Sequence, residues 1–127
     1  MSIFLDFSLK VLPRFLPIVT GVVAVIIACL SLMPQREVPD TGLDDQLGHL
    51  VAYFALATLS IFAFRRFSTW SIATVLVAYG FGLEYLQGAM PFDRHASIAD
   101  GMANAAGVAL GLAVSSAARK VVNFGDK

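Results

Sequence analysis

Charged residues are scarce in this chain of 127 residues, since aspartate, glutamate, lysine and arginine together make up 14% of it. Hydrophobic residues account for 57%, and the mean hydropathy is +0.75. A soluble fold of this length would be left with more apolar surface than its interior could hold, so part of that surface must face lipid. The apolar residues form long continuous runs instead of alternating with polar ones, which disfavours a closed barrel and predicts helices.

Cysteine is nearly absent, since Cys29 is the only one in the chain. A single thiol excludes an intramolecular disulfide and a zinc site built on paired cysteines, and we expect it to pack as a small apolar residue. The net charge is zero, and no cluster of lysines and arginines is interleaved with aromatics as on a nucleic-acid surface. We therefore predict neither a nucleic-acid partner nor a cofactor.

Four hydrophobic stretches are long enough to cross a hydrocarbon core of about 30 Å, which takes roughly 20 helical residues. They cover residues 15–33, 47–64, 69–87 and 98–118. The polar segments between them are short, so consecutive helices should be antiparallel neighbours. The prediction is an all-α integral membrane four-helix bundle at 15–118, with a cytoplasmic or interfacial segment at 1–14 and a cytoplasmic tail at 119–127.

The beginning of the chain allows more than one interpretation. Residues 1–12 are largely apolar, which suits a short helix in the inner membrane interface, and a disordered tail fits equally well. The first hydrophobic run could also be a signal peptide with Lys10 and Arg14 as its basic region. Because that run continues to Met33 and three further stretches follow, we favour a membrane span.

Orientation follows from the cations, because lysine and arginine are retained on the cytoplasmic side. One side of the predicted bundle receives Lys10, Arg14, Arg65, Arg66, Arg119, Lys120 and Lys127. The opposite side receives Arg36 and Arg94, together with the acidic residues Glu37, Asp40, Asp44, Asp45 and Asp93. This distribution predicts that both termini are cytoplasmic.

Small residues recur four apart in the last hydrophobic stretch, at Ala103, Gly107 and Gly111. Such a stripe lets a neighbouring helix approach closely. It would serve either as the interface of a homo-oligomer or for packing inside the bundle, and packing is the simpler interpretation.

Polar side chains within membrane spans are costly, so the few that occur mark a candidate site. Three spans each carry a pair on one helix face. The pairs are His49 with Tyr53, Glu84 with Gln87, and Asp100 with Asn104. Because neighbouring helices alternate in direction, all three pairs should lie at the same membrane face, which the cation distribution makes the outer one. We predict that they form one interhelical polar network.

Some of these residues also have purely structural interpretations. Asp45 precedes His49 by four residues and could hold its imidazole, and Tyr53 could be an anchor at the membrane interface. Ser97 is placed to cap the last helix, with Asp100 at the position that completes a capping box.

The pattern of these residues resembles the VanZ-like family of membrane proteins. The matching residues are Asp45, His49, Tyr53, Glu84, Gln87, Arg94, Ser97, Asp100, Asn104 and Gly107. The similarity spans residues 44–111 and departs from the family at Gln46, where a lysine is usual. The resemblance implies a bacterial cytoplasmic membrane. The founding member is associated with low-level resistance to the glycopeptide teicoplanin, whereas most relatives have no settled activity, so a role in resistance is not implied for this chain.

Two functions fit the network. In the first, an outer-face site binds or acts on an envelope lipid or a cell-wall precursor. Arg94 would contact a phosphate or carboxylate, and His49, Glu84 and Asp100 would be the catalytic groups that move protons. The other ligand-binding residues would be Asp45, Tyr53, Gln87, Ser97 and Asn104. A metal on the three catalytic groups is a variant, but spacing alone is weak evidence, and no metal is predicted.

In the second function, the chain is a non-enzymatic membrane scaffold whose network is structural and whose outer loops bind a partner protein. Arg94 would then only balance Glu84 or Asp100. A transporter fits less well, because polar residues are rare in the inner half of the membrane and no continuous hydrophilic path is visible.

Overall fold

The structure is a computed structural model that describes residues 2–91 and 94–125, with side chains described for 14–91 and 94–120. Two residues of the charge pattern, Asp93 and Lys127, lie outside the described residues. The remaining cations and acidic residues of that pattern lie within the described backbone.

Four long α-helices and one turn of 3₁₀ helix make up the described chain. They are α1 (Ser2–Leu32), the 3₁₀ turn (Gln35–Glu37), α2 (Asp45–Ala63), α3 (Thr69–Ala89) and α4 (Ile98–Gly125). The all-α prediction is therefore confirmed for the described residues. The bounds of α2 and α3 lie within two residues of the predicted stretches. By contrast, α1 is one continuous helix of 31 residues, and it includes most of the segment that we set apart at 1–14.

Three of these helices are long and apolar enough to cross a membrane, over Arg14–Leu32, Asp45–Ala63 and Ile98–Lys120. These three could be membrane spans, as predicted. With 21 residues, α3 has the required length but not the required hydropathy. The reason is that it carries Glu84 and Gln87 near its end and begins with polar residues.

The helices α2 and α4 lie parallel and in close contact, because two glycines of α4 face the backbone of α2. A Cβ added at Gly111 would lie 2.7 Å from the carbonyl oxygen of Phe54 and 2.8 Å from Cβ of Ala57. At Gly107 it would collide with the carbonyl oxygen of Leu50. Both glycines are buried and Ala103 is half-buried. The glycines of the predicted stripe therefore pack against α2 within one chain.

The core surrounds α2, since Tyr53, Leu56, Ala57 and Ile61 are each at most 1% exposed. Side chains from all three other helices complete this core: Ile27, Ile72, Leu76, Leu83, Val108 and Leu112. A hydrogen bond of 2.5 Å from the Tyr79 hydroxyl to the carbonyl oxygen of Ala24 joins α3 to α1.

Large apolar side chains cover the outside of α1. The exposed ones are Phe15, Ile18, Val19, Val22, Val25, Ile26 and Leu30. Cys29 lies among these apolar side chains and is exposed. An apolar surface of this extent is typical of a helix that contacts lipid.

Candidate functional site

The start of α2, the end of α3 and the start of α4 meet at one end of the fold, where four side chains form what we call the polar cluster: His49, Glu84, Asp100 and Asn104. Nδ1 of His49 lies 2.9 Å from Oδ1 of Asn104 and 3.9 Å from Oε1 of Glu84. Nε2 of His49 lies 4.0 Å from Oδ2 of Asp100. Residues far apart in the sequence are thus brought together around one imidazole. They lie at the same end of the fold, as the alternating directions of consecutive helices predicted.

The contact with Asn104 determines where the proton of His49 lies. An amide oxygen can only accept a hydrogen bond, so with Oδ1 of Asn104 facing the ring, Nδ1 of His49 is the donor of this bond. Nε2 of the neutral ring then keeps its lone pair and faces Asp100. Asp45 is exposed and makes no hydrogen bond to His49 within the described ranges. The expectation that Asp45 holds the imidazole is therefore wrong, because Asn104 occupies that role from another helix.

The start of α4 is capped by Ser97, which directly precedes the helix, and by Glu84 of α3. The N–H of Asp100 donates to Oγ of Ser97 at 3.2 Å, which confirms the predicted N-cap. In a capping box the Asp100 carboxylate would accept the N–H of Ser97 in return. Instead, Oε2 of Glu84 on α3 accepts it at 3.2 Å. The prediction that Asp100 completes the box is wrong, and its carboxylate lies beside His49 instead.

The cluster combines two carboxylates with little compensating charge. The Glu84 residue is 5% exposed, while the side chains of His49 and Asp100 are 18% and 20% exposed. Among the described side chains, no lysine or arginine lies within ion-pair distance of either carboxylate. Since burial disfavours unpaired charge, such a site favours a bound cation.

Two further polar groups are buried one helical turn from the cluster. Tyr53 follows His49 by four residues and Gln87 follows Glu84 by three, so each shares a helix face with a cluster residue. The hydroxyl of Tyr53 and Oε1 of Gln87 make no hydrogen bond to any described residue. Buried polar atoms without a partner are rare and call for a water, an ion or a ligand. Because Tyr53 is 1% exposed, its interpretation as an anchor at the membrane interface is wrong.

Gly80 provides the space that this layer needs. A Cβ at that position would lie 3.2 Å from both Cβ of Asn104 and Cε1 of Tyr53. The absence of a side chain on α3 therefore allows α2 and α4 to bring these two residues together.

Arg94 binds the end of α1 and not a carboxylate of the cluster. Its Nε donates to Oε1 of Gln35 at 2.8 Å. Its Nη1 donates to the carbonyl oxygens of Leu30 at 3.2 Å and Ser31 at 2.6 Å. A guanidinium in this position satisfies carbonyls left open at a helix end and complements the helix dipole. Arg94 makes no ion pair with Glu84 or Asp100 in the described structure, and its Nη2 group has no hydrogen-bond partner there.

A cavity of about 440 Å³ lies beside the cluster, between the end of α1, the segment at 34–44 and the start of α2. Four of the predicted site residues line it: Asp45, His49, Tyr53 and Arg94. Its other walls combine apolar side chains with the carboxylates of Asp40 and Asp44. Glu84, Gln87, Ser97, Asp100 and Asn104 are not among the lining residues. His49 therefore connects the cavity to the rest of the cluster.

Sequence reasoning did not single out Gln35 or the segment that closes this cavity. The available signal was the position of Gln35 directly after the first span, on the same side as Arg94. Nothing in the spacing of the two residues indicates that they would contact each other.

Comparisons with known proteins do not assign the chain to a family: no family model matches it, and no curated protein or solved structure gives a significant match. The similarity to VanZ-like proteins stays a prediction from the matching residues. The geometry of the site therefore carries the functional argument.

Proposed function

We propose that this chain is a VanZ-like integral membrane protein of the bacterial cytoplasmic membrane. In this proposal it folds as a four-helix transmembrane bundle with both termini in the cytoplasm. A site at its outer face binds, or acts on, the headgroup of an envelope lipid or a cell-wall precursor. The observation that carries the proposal is the cavity beside the polar cluster, which has apolar and charged walls together.

The geometry of the helices supports a fourth span. Because α2 and α4 are parallel, their starting ends lie together and their final ends lie together. The helix between them, α3, must connect the end of α2 to the start of α4. Its 21 residues extend over roughly 31 Å at 1.5 Å per residue. If α2 and α4 both cross the membrane, α3 has to cross back over the same thickness.

The charge distribution supports the orientation. Arg65 and Arg66 lie in the turn between α2 and α3, and Arg119 and Lys120 lie in the second half of α4. These positions are at the end of the bundle opposite the polar cluster. Since cations are retained inside, the cluster and its cavity belong at the outer face.

The charges that line the cavity favour a particular ligand chemistry. Arg94 offers a guanidinium whose Nη2 group has no partner within the described residues, and this suits a phosphate oxygen. Asp40, Asp44 and Asp45 line the same cavity and suit an ammonium group. Ile27 and Leu30 add apolar walls that suit a glycerol or acyl segment. We therefore favour a lipid-linked ligand that carries both a phosphate and an amine.

Mass spectrometry of the gently purified protein tests this function. We expect retained lipid that is enriched in phosphatidylethanolamine over phosphatidylglycerol, and we expect Asp44→Asn to reduce the enrichment. Arg94→Lys keeps the charge but loses the Nη2 group offered to the phosphate, and it should lower total retention. Glu37→Gln is the matched control, because Glu37 is exposed and does not line the cavity. Equal retention of both lipids in all four proteins would refute the proposal.

The alternative is a non-enzymatic scaffold whose network is only structural and whose outer loops bind a partner protein. The bonds from His49 to Asn104 and from Ser97 to Glu84 favour it, since each joins two helices. In that case Asp100→Asn should lower thermal stability in detergent, because a partly satisfied buried network is worse than none. Unchanged stability together with altered lipid retention would eliminate the scaffold.

A further inference from the structure

We propose that His49, Glu84 and Asp100 bind one divalent transition-metal ion. Each offers one ligand atom, which for His49 is one of its two ring nitrogens, and the three atoms lie within 4.8 Å of one another. Some point then lies within about 2.8 Å of all three, compared with ligand distances of about 2.0–2.2 Å for zinc. Side-chain movements of less than about 1 Å would close that difference.

The tautomer of His49 fits a metal ligand. When Nδ1–H is donated to Oδ1 of Asn104, which lies 2.9 Å away, the lone pair of the neutral ring is on Nε2. Histidines that bind metals commonly donate the other ring N–H to an oxygen acceptor, which fixes the ring and raises its basicity. Nε2 faces Oδ2 of Asp100 at 4.0 Å. Both atoms have lone pairs to offer, and a cation between them is the partner that satisfies both.

The charge of the cluster also fits a divalent ion. As metal ligands, Glu84 and Asp100 bind as carboxylates and His49 binds as a neutral imidazole, so this ligand set brings two negative charges, which a divalent cation neutralises. In the described part of the chain neither carboxylate forms an ion pair with lysine or arginine. Glu84 is buried, and in this low-dielectric environment its carboxylate attracts a bound cation more strongly than it would in water.

The unpartnered groups one turn away supply an independent observation. The Tyr53 hydroxyl and Gln87 Oε1 are buried without partners among the described residues, on the helix faces that carry His49 and Glu84. Waters on the metal would give such groups hydrogen-bond partners. Three protein ligands also leave a coordination position open, as in catalytic metal sites. A phosphate oxygen of a bound headgroup could take that position.

One imidazole with two carboxylates is a ligand set suited to zinc, iron(II) or manganese(II). Magnesium and calcium fit less well, because they prefer oxygen ligands to imidazole. Sequence spacing did not predict a metal, and the new support is the three-dimensional arrangement. The role of the metal rests on the proposed function, since the metal would coordinate the headgroup of the bound lipid. Metal binding itself can be measured without any lipid.

The first test uses the full-length protein in detergent, with any polyhistidine tag removed. After treatment with EDTA, the protein is dialysed against Zn²⁺ and analysed for metal content. We expect about one zinc per chain, and at least a tenfold loss of affinity in His49→Ala and Asp100→Asn. His95→Ala is the matched control, because His95 is the other histidine of the chain and is exposed. Glu37→Gln is the control for the carboxylate, because Glu37 is exposed and lies outside the cavity lining.

A second test identifies the ligands spectroscopically. Pulsed electron paramagnetic resonance of the Mn²⁺-loaded protein should show coupling to the nitrogen of a single imidazole. His49→Ala should abolish this coupling and His95→Ala should retain it. Asn104→Ala removes only the residue that orients the ring, and we expect affinity to fall by about 10- to 100-fold. Asp100→Asn has nearly the same shape as the native residue, so its binding data decide the question if His49→Ala does not fold.

Two results would overturn the metal site. One is less than half a zinc per chain in the folded wild-type protein, and the other is binding that His49→Ala and Asp100→Asn leave unchanged. The outcome is distinguishable from that of the lipid experiment. Zinc bound by delipidated protein without any lipid preference would refute the lipid function and retain the metal. Selective lipid retention by a protein that binds no metal would refute the metal site and leave the lipid function standing.

Discussion

The close contact between α2 and α4 can be tested at Gly111. In Gly111→Ala the new Cβ would lie 2.7 Å from the carbonyl oxygen of Phe54, 2.8 Å from Cβ of Ala57 and 3.3 Å from the nitrogen of Thr58. Two of these atoms belong to the backbone of α2, so no side-chain rotation relieves the contact. The two helices must move apart, and α2 is the helix around which the core is built.

The magnitude follows from comparison with a glycine that faces open space. Gly82 lies within α3 with nothing within 4 Å of an added Cβ. Alanine is favoured over glycine in helices by about 0.8–1.0 kcal/mol, and both substitutions gain this contribution. The difference between them therefore isolates the collision, and overpacking of this kind costs about 1–3 kcal/mol. We expect Gly111→Ala to be less stable than Gly82→Ala by that amount.

The assay is reversible unfolding of the purified protein in mixed micelles, with helix content followed as sodium dodecyl sulfate is added. The measured quantity is the free energy of unfolding of the wild type and the two variants. Equal stability of Gly111→Ala and Gly82→Ala would refute the packing of α4 on α2. The parallel alignment that assembles the polar cluster would be refuted with it.

Substitutions at three further residues address the site. Ser97→Ala should cost about 1 kcal/mol in the same unfolding assay, because it removes the N-cap of α4, and Ser97→Asp should restore most of that loss. Tyr53→Phe removes a buried hydroxyl that has no partner within the described residues, so the free energy of unfolding should be unchanged or raised by up to about 1 kcal/mol. If the hydroxyl contacts the ligand, lipid retention should fall in Tyr53→Phe even though stability does not. A clear loss of stability would contradict the statement that the hydroxyl has no partner within the described residues. Arg94→Ala should accelerate hydrogen exchange of amides in the last turn of α1, with little change at the start of that helix, since its bonds to Leu30 and Ser31 are lost.

The helices were predictable from the sequence because their signal is local. A long apolar run specifies a helix of membrane length, and the loops interrupt each run sharply, as at Arg65 and Arg66 between α2 and α3. The end of the fold at which His49, Glu84 and Asp100 meet was equally accessible, because it depends only on the alternating direction of consecutive helices. The continuity of α1 was not evident, since the few charges near its start suggested a separate segment.

The contacts inside the site were not predictable, because they depend on how each helix is rotated about its axis. Residues four apart share a face, which made Asp45 a reasonable partner for His49, but the sequence does not say which neighbouring helix that face meets. The partner of His49 is Asn104, which lies on α4. The same limit applies to Glu84, which caps α4 from α3, and to Arg94, which binds the end of α1 across the fold.

The central claim is that the polar cluster opens at the outer face of the membrane. Cysteine labelling in intact cells tests it most directly, in a Cys29→Ser background with a membrane-impermeant maleimide. His95 is exposed close to the cluster in sequence and fold, and Arg66 is exposed in the turn at the opposite end. The account predicts that His95→Cys is labelled in intact cells and that Arg66→Cys is labelled only after permeabilisation. Labelling of Arg66→Cys in intact cells, with His95→Cys unreactive, would contradict it.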